Sequence, residues 1–229
     1  MSTAYGNRPI VTDGLVLCLD AANSRSYSGT GTTWSDLSGN GYDGTLVNGV
    51  GYSNDNLGYF IQDGVNDFVQ GTAFDSTFSE MTIMLWLRRT GQTIRFAGIL
   101  FTRNGGTVPA TGMNFRDTTN QIGYHWNNTG TTYGWASGLV PPLNEWCLCA
   151  ITVTPTQGTA YLKGNNIDSV ATNTVSHPEL TGTFQFDTRD SQSGRYSIID
   201  ISNASIYNRA LTAAEVQQNF NAMRERYGL

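Results

Sequence analysis

Residues Thr33–Leu46 read TWSDLSGNGYDGTL, and a second stretch of the same grain, FIQDGVNDFV, follows at 60–69. Each sets Gly, Asn and Asp between β-forming residues. Gly accepts positive φ at no steric cost, and Asn and Asp bond their own backbone, so Ser38-Gly39-Asn40-Gly41 reads as a tight, shaped loop. This is turn chemistry feeding strands, and it sets the expectation for the rest of the chain.

Working outward, the same alternation recurs. Gly14–Asp20 (GLVLCLD) is a short apolar run, as a strand buried on both faces requires. Further strand-like segments fall at about 59–62, 66–72, 81–89, 96–102, 112–116, 121–127, 145–154, 158–164, 183–187 and 198–207. Gly, Asn, Asp or Pro separates almost every pair, with no helical period between them. The pattern predicts an all-β fold, a two-sheet antiparallel sandwich of one domain over 14–229. One helix is expected at 213–226. There Thr212 and Glu215 have capping-box spacing, and Val216, Phe220, Met223 and Tyr227 share a helical stripe suited to a lid on the sandwich. Residues 1–13, with Gly6-Asn7 and Pro9, read as an extended N-terminal arm.

Composition narrows the function. Only 14% of the 229 residues are charged, against about 25% in average proteins, and the net charge is −5. Nucleic-acid backbones need clustered Lys and Arg, so that partner class is excluded. No apolar run reaches the ~20 residues of a membrane span. The N-terminal stretch MSTAYGNRPIVTDG has no charged-then-apolar signal segment, which sets the expectation of a protein that is not secreted by signal peptide. Cys18, Cys147 and Cys149 lie in strand-like runs and read as small apolar side chains, free rather than paired.

Five segments, in order, resemble the laminin-G-like, concanavalin A-like lectin/glucanase jelly-roll family. Besides 33–46 and 60–69, they are MTIMLWLRR at 81–89, NEWCLCAITVTPTQGTAYLKG at 144–164 and ASIYNRALTAAEV at 204–216. The form that begins GLVLCLD and carries GYHWN, GLVPP and QNFNA is similar to copies found in tailed-phage virion proteins. The resemblance implies a jelly-roll sandwich. It also implies a virion surface module, a head decoration or tail-fibre element, that stabilises the particle or adheres to host surface polysaccharide. Assembly in the host cytoplasm with other virion proteins would follow, as a homo-oligomer, by analogy a trimer. A cellular carbohydrate-binding lectin is the alternative, and a glycan hydrolase the third.

Catalysis is not expected. Retaining glycosidases need two carboxylates about 5 Å apart, and the Glu-x-Asp-x-x-Glu strand of the family's glucanases is absent. Asp187 and Asp190 straddle a turn-like DTRDSQSG, and no nucleophile elbow, P-loop or dinucleotide fingerprint occurs. No cofactor is expected, with calcium the one candidate. Many relatives hold it in a loop, and Asp36, Asp43, Asp63 and Asp67 lie in matching motifs, although the closing strand carries Ser202 where relatives often place an acid. The competing reading of these aspartates is turn capping. For sugar, the aromatic-rich NQIGYHWNNTGTTYGWASG at 120–138 supplies Tyr124, Trp126, Asn127, Tyr133 and Trp135, with His125 and Asn128 among them. Aromatic faces stack on sugar rings while amides bond hydroxyls. Tyr124 and Trp126 alternate on one strand face, so packing into the core is the competing reading.

Overall fold

A computed structural model describes residues 9–103, 106–191 and 194–229. Among them, the chain forms two antiparallel sheets packed face to face. One runs, edge to edge, Ile167–Asn173, Gln157–Gly164, Trp146–Thr154, Met81–Arg89, Ile198–Tyr207, Tyr59–Asp63 and Gly51–Ser53. Leu15–Asp20 pairs with the second half of Ile198–Tyr207, beside the stretch that Tyr59–Asp63 occupies. The other sheet runs Ile122–His125, Thr111–Phe115, Gly98–Thr102, Phe186–Asp187, Phe68–Gly71, Gly44–Val47 and Thr33–Trp34. Two separate two-stranded pairs accompany them, Phe74–Phe78 with Leu180–Phe184 and Arg189–Asp190 with Arg195–Tyr196. The expected all-β, jelly-roll-type sandwich with a short C-terminal helix is what forms.

The period-2 alternation of a strand divides its residues between two cores. In Met81–Arg89, Ile83, Leu85 and Leu87 enter the space between the sheets, while Met84 and Trp86 face the C-terminal helix. Trp146–Thr154 does the same, with Cys147, Cys149 and Ile151 inward and Trp146 and Leu148 outward. Burial on both faces is why these strands are nearly continuous apolar runs in the sequence. The three cysteines are free and buried, and the sulfurs of Cys147 and Cys149 lie 3.9 Å apart on one face. Burial pushes the Cys18 thiol up to about 12, which suits a packing role over a nucleophilic one.

The helix Ala213–Met223, continued by a tighter turn at Arg224–Tyr227, starts as the sequence predicts. The Thr212 hydroxyl accepts from the Glu215 amide at 3.3 Å, and the Glu215 carboxylate accepts from the Thr212 amide at 2.8 Å. Its apolar stripe closes the outer face of the first sheet. The Trp86 ring lies 5.4 Å from Phe220 and 4.3 Å from Tyr227, both nearly parallel to it. Arg226 forks onto buried Asp20 at 2.8 and 2.9 Å and donates to Ser202 Oγ at 3.1 Å.

The expected arm ends earlier than residue 13. Ile10 and Val11 are buried against this helix. The Val11 amide donates to Asn219 Oδ1 at 2.7 Å, and Tyr207 donates its hydroxyl to the Val11 carbonyl at 3.0 Å. Residues 1–8 of the arm lie outside the described residues. Among the described residues, no helix is long and apolar enough to cross a membrane.

Candidate functional site

The aromatic cluster expected to meet sugar splits across the strand Ile122–His125. Tyr124 and Trp126 are each 1% exposed and belong to the core between the sheets. Tyr124 accepts a hydrogen bond from Asn173 Nδ2 at 3.0 Å and sits 2.8 Å from His177 Nε2, while Trp126 donates to the Pro178 carbonyl at 2.7 Å. Neither ring face is open, so as carbohydrate-stacking residues both are corrected to core. Trp135 is half-buried and packs edge-on against Tyr124 at 5.7 Å. Asn127, with φ 52°, donates its amide to Thr111 Oγ1 at 3.2 Å as part of the turn. Tyr133 remains, and it stands elsewhere.

On the other face of the same strand, His125 points away from the core, and a cavity of about 260 Å³ opens over it. Phe96, Arg103, His125, Asn128, Tyr133 and Arg195 line the cavity. The sheet itself makes the floor. Gly112 pairs with Phe101 on one side and His125 on the other, so those two side chains flank a residue without one. A Cβ there would meet the Leu100 carbonyl at 2.5 Å, and its φ of +130° suits only glycine. The Phe101 ring meets His125 edge-on at 4.8 Å. Phe96 meets it at 5.2 Å and Tyr133 at 5.4 Å, making two aromatic walls.

Three separate segments supply these walls. Phe96 has φ +62°, a left-handed conformation costly for a bulky residue, and is pinned by its amide to the Phe115 carbonyl at 2.8 Å. Tyr133 ends the one-turn helix Gly130–Tyr133 that follows Asn127 and Asn128. The Arg195 strand comes over the sheet because Gly98 admits its partner's backbone; a Cβ there would lie 2.1 Å from the Arg189 carbonyl carbon. Behind the cavity, Asp190 is fully enclosed. Arg103 Nε reaches its Oδ1 at 2.7 Å and Arg195 Nη1 its Oδ2 at 2.7 Å.

The electrostatics follow from burial. His125 is 2% exposed, and both ring nitrogens lack a hydrogen-bond partner. Burial first, then the two arginines, pull its pKa down to about 3, so the imidazole is neutral near pH 7 and offers one donor and one acceptor. Asn114, on the same outer face, is 1% exposed with both amide atoms unpartnered. Asp187 pairs with Phe101 in the neighbouring strand, and its carboxyl is raised to about 7 by burial against the lowering effect of Arg189. Two other cavities, of about 10 Å³ each, have room for a water molecule and no more.

The four aspartates weighed for calcium form two turns. Asp36 accepts from the Cys18 and Ser38 amides at 2.9 Å, from Ser38 Oγ at 2.6 Å and from the Tyr42 amide at 3.2 Å. Asp43 accepts from the Asp36 amide at 2.8 Å. Asp67 accepts from the Asp63 amide at 3.0 Å, and Asp63 from the Val65 amide at 2.8 Å. Among the described residues, no group of three His, Cys, Asp or Glu side chains is placed to hold a metal ion.

The fold is a two-sheet antiparallel sandwich with a cavity on one outer face. Residues 63–217 match the family described as the concanavalin A-like lectin/glucanases superfamily, of laminin-G type, and the chain belongs to it. No characterised protein of matching sequence was found. Among solved structures, it is similar to domain 4 of AbnA, a GH43 extracellular arabinanase from Geobacillus stearothermophilus, in complex with arabinotriose. That match has 14% identity and a TM-score of 0.65, and covers 91% of this chain and 98% of that one. A Trypanosoma rangeli sialidase in complex with the inhibitor DANA matches at 16% identity and TM-score 0.62, covering 95% of this chain and 34% of the sialidase. The binding domain of botulinum neurotoxin serotype G matches at 14% and 0.59, covering 92% and 51%. The chain thus spans about a third of the sialidase, and identities this low establish the shared fold. The fold is the lectin/glucanase-like carbohydrate-binding one.

Of the aromatic stretch singled out in the sequence, Tyr133, His125 and Asn128 line this cavity. The sequence reading does not single out Phe96, Arg103 or Arg195. Strict alternation was the available signal for His125: if Tyr124 and Trp126 face inward, His125 faces out.

Proposed function

We propose that this protein is a non-enzymatic carbohydrate-binding module whose binding site is the cavity over His125. The observation that carries the reading is the cavity itself. Aromatic walls from Phe96 and Tyr133 meet the polar side chains of Arg103, Asn128 and Arg195, which joins apolar stacking surface to directional hydrogen bonding. At about 260 Å³ it lies below the ~300 Å³ at which drug-sized sites begin, a size suited to one sugar unit. The non-enzymatic part is supported by the lining, which among the described residues contains no carboxylate, and by Asp190 being engaged by two guanidiniums. The test is a glycan array probed with the wild type and Tyr133→Ala. Binding lost in the variant supports the site, whereas binding to no glycan removes the reading. Reducing ends released from β-glucans, alginates or sialosides would overturn the non-enzymatic part.

We place the module on a virion surface, as a head decoration or tail-fibre element adhering to host polysaccharide or stabilising the particle. The support is the resemblance of GLVLCLD, GYHWN, GLVPP and QNFNA to phage copies. Mass spectrometry of purified particles tests it, and absence of the protein from them would favour a cellular lectin.

A further inference from the structure

We infer that the cavity over His125 selects a carboxylate-bearing sugar, such as a uronic acid unit, over its neutral counterpart, with Arg103 and Arg195 receiving the carboxylate. The inference rests on the reading of this cavity as a sugar site and adds the chemistry of its ligand. Among the described residues, two cations line the cavity and no anion does. Asp190 balances one of them from behind, and the imidazole is neutral, so the site carries a net charge near +1 in a chain of −5. A cleft lined by one sign of charge focuses the field and raises the local concentration of the opposite ion, here an anion.

Geometry adds to charge. Asp190 engages Nε of Arg103 and Nη1 of Arg195, and each guanidinium carries five N–H donors, so further donors on both remain for a ligand. Their side chains are 20% and 24% exposed, reachable from solvent but held. Arg195 also lies 5.2 Å from the Phe96 ring centroid and Arg103 5.7 Å from that of Phe101. Two guanidiniums pre-set by a common carboxylate lose little freedom on meeting a second one, and charge-assisted pairs favour carboxylate over hydroxyl. His125, buried beneath them with both ring nitrogens closed off, forms part of the floor of the site.

The experiment is calorimetric titration of the full chain with trigalacturonate, a mannuronate trimer and a glucuronate-containing disaccharide, each beside its carboxyl-reduced form. At least one acidic sugar should bind tenfold or more tighter than its reduced partner, and the preference should shrink as salt rises. Arg195→Gln should erase the preference by weakening the acidic sugar far more than its reduced partner. Tyr133→Ala, which spares the arginines, should weaken both members of a pair alike. Equal binding of acidic and neutral forms overturns the inference while the sugar site stands. A preference that survives in both Arg195→Gln and Arg103→Gln, with melting temperatures near wild type, also overturns it. Binding of none of the six sugars overturns the site and the inference together.

Discussion

The two outer faces of the sandwich are built by the same strand alternation and finished in opposite ways. Over the first sheet, one capped helix lays Val216, Phe220 and Tyr227 on Met84 and Trp86, and its charges find partners: Arg226 with Asp20, and Arg88 with Asp200 at 2.6 Å on the sheet below. Trp86 Nε1 and Arg226 Nε are the polar atoms left over there. Over the second sheet, loops replace the helix. They leave an open cavity, a phenylalanine at positive φ, and the side chains of His125 and Asn114 without hydrogen-bond partners. Each buried, unsatisfied polar group costs about 1–3 kcal/mol, so the loop face is held at the expense of stability that the helix face supplies. Violations of local rules gather where a protein binds something, and here they gather on one side.

The largest effect expected from this contrast is on the helix face. Trp86→Ala removes a ring stacked between the helix and its terminal turn, and large aromatic truncations in cores cost about 3–5 kcal/mol. Urea unfolding should show that loss. A loss below about 1 kcal/mol would mean that the helix is a loosely attached lid and that the two faces differ less than their packing indicates.

The opposite sign is expected on the loop face. His125→Phe keeps an aromatic ring between Phe96 and Phe101 while removing two unpartnered nitrogens, and should raise stability by about 0.5–2 kcal/mol. A variant that is less stable than the wild type would place the imidazole among the structural groups and erase the asymmetry.

Much of this fold is legible in the sequence. Met81–Arg89, Trp146–Thr154 and Ile198–Tyr207 are central strands buried on both sides, so nearly every residue in them is apolar or small and the run announces itself. Ile167–Asn173 is an edge strand with one wet face, and its IDSVATN alternates too weakly to be called. Phe74–Phe78 and Leu180–Phe184 hide behind Thr, Ser and Gly for the same reason. The site was legible as a neighbourhood and not as a set. Its histidine lies within the quoted aromatic stretch, but Phe96, Arg103 and Arg195 come from segments joined only by tertiary packing. No spacing in a linear chain encodes that meeting.

A smaller effect separates the faces by pH. His125 falls from an ordinary 6.5 to about 3 on folding, so the unfolded chain binds its proton more tightly; this contribution is present above pH 6.5 and is lost as pH falls toward 3. Asp187 moves the other way, from 3.8 to about 7, chiefly by burial, so the folded chain holds the proton. Its contribution is present below about pH 4 and is lost as pH rises through 7. Asp187→Asn should therefore flatten the decline in stability between pH 4 and 7, and His125→Phe should soften acid unfolding below pH 6.5. Melting curves across that range check both. Unchanged pH profiles in both variants would show that these groups meet solvent in the folded state, contrary to their burial on the loop face.

The smallest effect concerns calcium at the aspartate turns near the edges of both sheets. A specific ion stabilises by mass action, about 2.7 kcal/mol at a hundred times its dissociation constant. The Asp36 carboxylate already accepts from three backbone amides and a hydroxyl, so an ion would have to displace bonds that shape the turn. Asp67 offers more: burial, and then Asp63 beside it, pushes its carboxyl up to about 6, the mark of a carboxylate short of positive charge. The expected outcome is nonetheless a melting temperature unmoved by millimolar calcium or by chelator, because both oxygens of Asp67 accept from the Asp63 amide and Asp63 caps Val65. A rise of several degrees with calcium, abolished by Asp67→Asn and not by Asp36→Asn, would make that hairpin a metal loop. The comparison of the two faces would then need a third, ion-held region.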